Sequence, residues 1–193
     1  MNDLPSTSAL VLLWSMENRD DDTLSSKYLE NLNLDSGKEL YFKCNQVWPF
    51  YSEVIKNRKK CIWDLTQSGL NDEKILQIII LGAGMDPLSL DILSKNQSIK
   101  IFEIDFSMDE KRAAIEKIDS TIFDSLSLIS ADLNKPKSLL KALEKDGWNS
   151  KYSTLILLEG ISYYLSEQAM NRILRLFKTE KRKNHVILEY LFP

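Results

Sequence analysis

The sequence predicts a doubly wound α/β fold with a mostly parallel sheet, and three observations carry that reading. From residue 75 onward, five short runs rich in Ile, Leu and Val alternate with four segments of helical spacing. No hairpin signal joins neighbouring runs, so each connection is a helical crossover between parallel strands. A Gly82-Ala83-Gly84 turn directly follows the first of these runs.

The first 70 residues read as helices. Residues 8–18 and 24–32 carry apolar side chains at helical spacing, separated by the acidic break Asp20-Asp21-Asp22. Trp48-Pro49 marks a boundary, because the residue before a proline avoids helical backbone. A third helix over 50–67 follows, stopped by Ser68-Gly69. The texture then changes. Ile75–Leu81 is a nearly continuous apolar run, the pattern of a central parallel strand buried on both faces. Asp86-Pro87 supplies an N-cap and a first-turn proline for a helix to about Lys95. Residues 99–104 form the second strand, and Ser107 with Glu110 has the capping-box spacing that opens a helix through Ile118. Strand Leu126–Ser130, helix Pro136–Lys145 and strand 154–158 continue the alternation. Ser166 caps a helix through Lys178, and 185–190 make the fifth strand. The chain thus divides into a helical N-terminal lid or cap, 1–70, and an α/β domain, 71–193, that ends after the fifth strand.

Composition narrows the function. At 193 residues and 22.3 kDa, with 44% apolar and 27% charged residues, this is a globular chain of one domain or one domain with an appended subdomain. It is long enough to bury a core without disulfides. A net charge of −3 and a pI of about 5.3 provide no global basic field, so no nucleic-acid partner is expected. Cys44 and Cys61 cannot build a zinc site alone and read as small packing residues. The single histidine, His185, excludes a His-rich metal centre and sits at the strand start, away from the ligand-binding edge. The apolar stretch 9–14 is too short to span a bilayer and lacks a basic leader, so a cytoplasmic address without membrane attachment is expected.

Four segments could carry chemistry. Gly82, Ala83 and Gly84 lie between a buried strand and a helix N-terminus, where glycines let backbone approach a ligand and free N–H groups face it. Pro87 stands where the dinucleotide pattern would have its third glycine. Glu103 and Asp105 end the second strand, 19 and 21 residues beyond Gly84, on one face of it. An acid at that distance is placed to accept from ribose hydroxyls, and Asp105, nearer the strand end, is the better placed. Asp132 and Leu133 follow the third strand, beside the expected position of a bound base. Taken alone, Asp132 fits a turn or cap better than a ligand contact. Glu159 opens the loop Glu159-Gly160-Ile161-Ser162-Tyr163-Tyr164-Leu165 after the fourth strand, which flanks the first across the topological switch point. A carboxylate closing an apolar run needs a partner, and a sulfonium or ammonium would serve.

Together, LGAGMDPL, FEIDF, ADL and EGISYYL resemble, in order and spacing, the motifs of the leucine carboxyl methyltransferase family, which includes bacterial O-methyltransferases associated with polyketide pathways. The resemblance covers about residues 51–190. It implies a class I, Rossmann-like methyltransferase fold with S-adenosyl-L-methionine as cofactor. Gly82 and Gly84 would then surround its methionine part, Asp105 its ribose, and Asp132 and Leu133 its adenine, with Glu159 facing the ammonium. The family's arginine for the methionine carboxylate matches Arg58, with Lys59 as its rival; a solvated Arg58-Lys59-Lys60 face is the structural alternative. Pro87-Leu88 replaces the family's Thr-Arg, and family members continue beyond the fifth strand with a substrate-covering insertion and two more strands, which this chain is expected to lack.

The expected activity is S-adenosylmethionine-dependent O-methylation of a carboxylate or hydroxyl on a small molecule or protein. A carboxylate is ionised at neutral pH and needs no base, which suits a chain without an evident catalytic histidine. Tyr163 and Tyr164 are the substrate-side candidates. The competing readings are a nicotinamide-dependent oxidoreductase and a non-catalytic nucleoside-binding protein without its substrate half. Trp14, Trp48, Trp63 and Trp148 read as core or interface anchors. An apolar fifth strand at the sheet edge invites self-association.

Overall fold

The computed structural model describes residues 4–16, 23–71, 75–179 and 184–190. Five parallel strands run in the order β3-β2-β1-β4-β5: β1 (Ile75–Leu81), β2 (Lys100–Asp105), β3 (Leu126–Ser130), β4 (Ser153–Leu158) and β5 (His185–Leu188). The chain crosses from β1 outward to β3, then returns to β4 on the other side of β1, so the switch point falls between β1 and β4. Apolar side chains fill both faces of the central strands, as their continuous sequence runs require. Ile78, Ile80, Ile101, Leu155 and Leu157 belong to one core, and Ile79, Leu81, Phe102, Ile104, Ile156 and Leu158 to the other.

Helices cover both faces. The second core is closed by α7 (Pro136–Lys145) and α8 (Glu167–Leu176) through Leu139, Leu143 and Ile173. The first is closed by α5 (Leu88–Lys95) and α6 (Asp109–Glu116), and by the N-terminal helices α1 (Ser6–Met16), α2 (Leu24–Glu30) and α4 (Tyr51–Leu70). Ala9, Leu12, Tyr28, Leu29 and Ile62 pack in the same apolar cluster as Ile78 and Ile80, so the N-terminal helices share the sheet's core. Each buried Ile or Leu is worth about 1.5–3 kcal/mol relative to exposure, and that continuity fixes the helices over the sheet.

The elements depart from the sequence reading in five places. Helix α3 (Asp35–Val47) was not anticipated. It buries only Gly37, whose added Cβ would lie 2.7 Å from the Leu10 backbone nitrogen. A close crossing on α1 therefore seats it, with the half-buried Leu40, Tyr41 and Cys44 packed against Leu10, Trp14 and Ile55. Helix α4 runs through Ser68-Gly69 to Leu70, since Gly69 gives close approach to Leu155 and does not break the helix. The Ser107–Glu110 capping box is not formed; the N-cap falls one residue later, at Met108, whose N–H donates to Ser130 Oγ of β3. The fifth strand ends at Leu188, and a short 3₁₀ turn, Ser120–Asp124, precedes β3. The acidic break Asp20-Asp21-Asp22 lies outside the described residues.

Trp14 and Trp148 are buried anchors, Trp14 stacked on Tyr51 and Trp148 edge-on to Phe177. Cys44 is half-buried as a packing residue, whereas Cys61 is exposed on α4, contrary to expectation. Among the described residues, no helix is long and apolar enough to cross a membrane, and no group of three or more His, Cys, Asp or Glu side chains is placed to hold a metal ion.

Candidate functional site

A cleft of about 460 Å³ opens over the carboxyl ends of β1, β2 and β4, at the switch point where doubly wound sheets bind ligands. Its floor is the turn after β1. Gly82 and Gly84 take φ of 71° and 49°, in the left-handed region that glycine enters without strain. A Cβ on Gly82 would stand 2.2 Å from Ile161 Cδ1, so the loop after β4 packs directly on bare backbone. Gly82 and Ala83 N–H both donate to Ile104 O, at 2.8 and 3.1 Å, tying the turn to β2. Tyr28 Oη donates to Met85 O at 3.1 Å, holding the turn from the helical side.

Asp105 reaches the cleft as expected. One carboxylate oxygen accepts from Gly84 N–H at 2.8 Å and the other from Phe106 N–H at 2.6 Å, which orients the group at the rim. Each oxygen keeps a further lone pair for a ligand hydroxyl. Phe106, 80% exposed beside it, was not singled out from the sequence. Its signal was a large aromatic directly after the strand-ending acid.

Glu103, the other acid of β2, is fully buried, and its carboxylate lies 2.6 Å from Lys111 Nζ, which is itself buried. Lys111 Nζ also donates to Asp86 O at 2.6 Å. Burial pushes the Glu103 carboxyl above its usual range, and the Lys111 charge opposes this only in part. Glu103 thus forms an internal ion pair that braces the loop after β1, and it lines the cleft beside Asp105 from below. Sequence alternation placed its side chain on the right face but could not show Lys111 beneath it.

Asp132 and Leu133 are not brought to the cleft. Asp132 Oδ1 accepts from Asn134 N–H at 2.9 Å, closing the turn, and Leu133 is buried in the second core near Ile129 and Leu139. The local turn chemistry of Asp-Leu-Asn satisfies itself. His185 lies at the opposite end of the sheet, as expected, in a hollow lined by Asn171, Arg175 and Asn184.

The far wall of the cleft is charged. Glu159 Oε1 stands 3.1 Å from Arg58 Nε and 2.7 Å from Lys59 Nζ, so the two rival cations of α4 both reach it. Lys59 also donates to Asp86 Oδ2, whose other oxygen accepts from Leu88 N–H at 3.0 Å. Burial alone would raise the Asp86 carboxyl, but the Lys59 charge and hydrogen bond, with help from Lys111, hold it below the usual carboxylate range. Burial and then the Asp86 charge push Glu159 upward, against Lys59 and Arg58. Burial disfavours the charged form of Lys59, yet its two carboxylates raise it overall. Arg58 Nε and Glu159 Oε1 are both buried, and their 3.1 Å contact is an ion pair not aligned as a hydrogen bond, so Arg58 retains directional capacity toward a ligand while Glu159 is held chiefly by Lys59.

The roof comes from Thr7, Ser8, Val11 and Leu12 of α1 and from Tyr163 and Tyr164 of the loop after β4. Tyr163 Oη donates to Glu189 Oε1 at 2.5 Å, and Gly160 N–H donates to Glu189 Oε2 at 2.8 Å. Glu189 follows β5 and was missed; its signal was an acid one residue past the strand, in register beside Glu159.

Residues 18–178 match the pattern of the leucine carboxyl methyltransferase family. A Bacillus subtilis (strain 168) protein, YktD, provisionally described as an S-adenosyl-L-methionine-dependent methyltransferase, is 28% identical over 127 residues, spanning 63% of this chain and 41% of that protein. A structure of a protein provisionally described as a methyltransferase from Thermobifida fusca YX superposes with TM-score 0.58 at 19% identity, covering 80% of this chain and 60% of that one. A DUF574 family protein of Streptomyces avermitilis MA-4680 gives 0.60 at 17% identity, covering 88% and 62%. The chain therefore spans about two-fifths to three-fifths of the length of these relatives. The solved structures share its fold, the class I methyltransferase sheet. With the family pattern covering most of its length and both ends of the cleft formed by that pattern's residues, this chain belongs to the leucine carboxyl methyltransferase family.

Proposed function

We propose that the cleft binds S-adenosylmethionine and that the chain serves methyl transfer to an oxygen acceptor, a carboxylate or hydroxyl. One observation supports this most: a ribose-type acceptor, Asp105, and an unaligned Arg58–Glu159 pair stand at opposite ends of one cleft across a bare glycine turn. That order matches a nucleoside joined to an amino acid. Arg58 would take the amino-acid carboxylate, Glu159 the ammonium, and Asp105 the ribose hydroxyls. Gly82, Ala83 and Gly84 would pass close beneath the sulfur-bearing chain, where a Cβ could not fit at Gly82. Phe106 would present its exposed ring to the flat base.

When bound, S-adenosylmethionine supplies an electrophilic methyl group on a sulfonium. The protein's own contribution is proximity and alignment, which can supply about 7–11 kcal/mol of a barrier. Arg58 and Glu159 anchor one end and Asp105 the other, while α1, Tyr163 and Tyr164 cover the space between and limit water. The test is calorimetry with S-adenosylhomocysteine and NADH on the same preparation. Binding of the first and none of the second supports the reading; the reverse removes it.

A further inference from the structure

From the Tyr163–Glu189 pair we infer that the methyl acceptor is a neutral hydroxyl, phenolic or enolic, whose proton leaves through Tyr163 to Glu189. This rests on the methyltransferase reading and adds to it the acceptor class and a proton path.

Tyr163 lines the cleft and is half-exposed to it, so its oxygen is within reach of a bound molecule. That oxygen spends its one proton on Glu189 Oε1 at 2.5 Å. What it offers the cleft is therefore lone pairs, which accept from an O–H donor and have nothing to give a carboxylate. Glu189 is held from its other side by Gly160 N–H at 2.8 Å, on the same loop as Tyr163. Its backbone N–H donates to Leu158 O at 2.9 Å, so its main chain is tied to the end of β4. The carboxylate is thus fixed, half-buried, and bonded through both oxygens. Glu159 ends the neighbouring strand, and its charge, like that of Glu189, acts on Tyr163; Arg58 is the opposing cation. The Glu159 charge is balanced by Arg58 and Lys59, so an anionic acceptor beside Tyr163 would meet the Glu189 carboxylate, which would not repel a neutral hydroxyl.

The step balances without a further reactant beyond the sulfonium methyl donor. The acceptor oxygen forms its bond to the methyl carbon as the carbon–sulfur bond breaks and sulfur keeps the electron pair. The acceptor proton passes to Tyr163 Oη while the phenolic proton moves to Glu189 Oε1, and water later removes it. A neutral hydroxyl needs such a base, and a carboxylate does not. Burial and the Glu189 hydrogen bond push the Tyr163 phenol up to about 12, so it stays protonated and able to relay.

The experiment uses the full chain saturated with S-adenosylhomocysteine, with 4-nitrophenol and benzoate as probes. Calorimetry of S-adenosylhomocysteine reports the cofactor reading by itself: no binding there removes the methyltransferase reading, whatever the probes do. Given that binding, the parent should take 4-nitrophenol at least about tenfold more tightly than benzoate, and the phenolate absorbance should fall as the probe is held neutral. In Glu189→Gln the preference should collapse and the phenolate band should persist, while affinity for S-adenosylhomocysteine stays within about twofold. Tyr163→Phe should lose the preference in the same way, and Glu189→Asp should restore part of it. With S-adenosylmethionine, Glu189→Gln should slow formation of 4-nitroanisole at least about a hundredfold, the low end of general-base contributions. Benzoate binding as well as the phenol, no phenol binding, or a preference and rate indifferent to Glu189→Gln would each overturn the proposal.

Discussion

Lys111 is the sharpest place to perturb the site's foundations. Its ammonium is fully buried, 2.6 Å from Glu103 Oε2 and 2.6 Å from Asp86 O, beneath the loop that forms the cleft floor. Lys111→Met keeps most of the stem and removes the charge. Breaking a buried ion pair from one side costs about 3–5 kcal/mol, because the partner charge is left without compensation. Glu103 has one escape, which is to take up a proton. With Lys111 gone its folded carboxyl rises further above the ordinary 4.5. The folded state then holds a proton that the unfolded chain has released, so stability falls as pH rises from that ordinary value toward the folded one. The variant should therefore lose about 3–5 kcal/mol at neutral pH and less on acidification. Lys111→Met with Glu103→Met should recover about 2 kcal/mol of the loss, leaving about 1–3 kcal/mol for the Asp86 carbonyl that no longer has a donor. Urea unfolding of the parent, the single variants and the double variant, followed by tryptophan fluorescence at several pH values, measures all of this. A cost below about 1 kcal/mol, or one that does not change with pH, would refute the reasoning.

Three further outcomes follow from the same geometry. Asp105→Ala should weaken S-adenosylhomocysteine binding at least about tenfold, equivalent to 1.4 kcal/mol, in a chain that calorimetry and circular dichroism show to be folded; unchanged affinity would remove Asp105 from the ribose. Arg58→Lys should weaken S-adenosylhomocysteine but hardly affect adenosine, which has no carboxylate, because lysine replaces a guanidinium fork poorly; equal losses in a two-ligand titration would point to folding instead. Asp86 is held below its ordinary 3.8 by Lys59. In acid the unfolded chain therefore binds the proton first, and the contribution is complete above that value and lost as pH falls through the folded one. The stability gap between the parent and Asp86→Asn should accordingly narrow on acidification, and a constant gap in pH-dependent unfolding would contradict the pairing.

The sheet was legible because its strands are buried on both faces and must be apolar throughout; Ile75–Leu81, Leu126–Ser130 and helix Pro136–Lys145 fall where the sequence placed them. Helix α3 was not, because its tightest contact is a glycine against backbone and its packing face, Leu40, Tyr41 and Cys44, is short and only half-buried. At the site, Gly82, Gly84, Asp105 and Glu159 converge on one cleft because strand order brings those strand ends together, and α4, packed on the sheet through Ile62, carries Arg58 to it. Asp132 and Leu133 do not, because a local turn and the second core claim them first. The partners that complete the site, Lys59 on Asp86, Lys111 on Glu103 and Glu189 on Tyr163, come from elements far apart in the chain. Lys111 carried one faint mark: on α6 it precedes the buried Ile115 by four residues, on the same inward face.

The most direct test is a crystal structure of this chain with S-adenosylhomocysteine. The account predicts ribose hydroxyls on Asp105, the amino-acid carboxylate on Arg58 and the ammonium on Glu159, with Lys59 retained on Asp86. A ligand whose amino-acid end lies away from Arg58 and Glu159, or whose ribose makes no contact with Asp105, would contradict it.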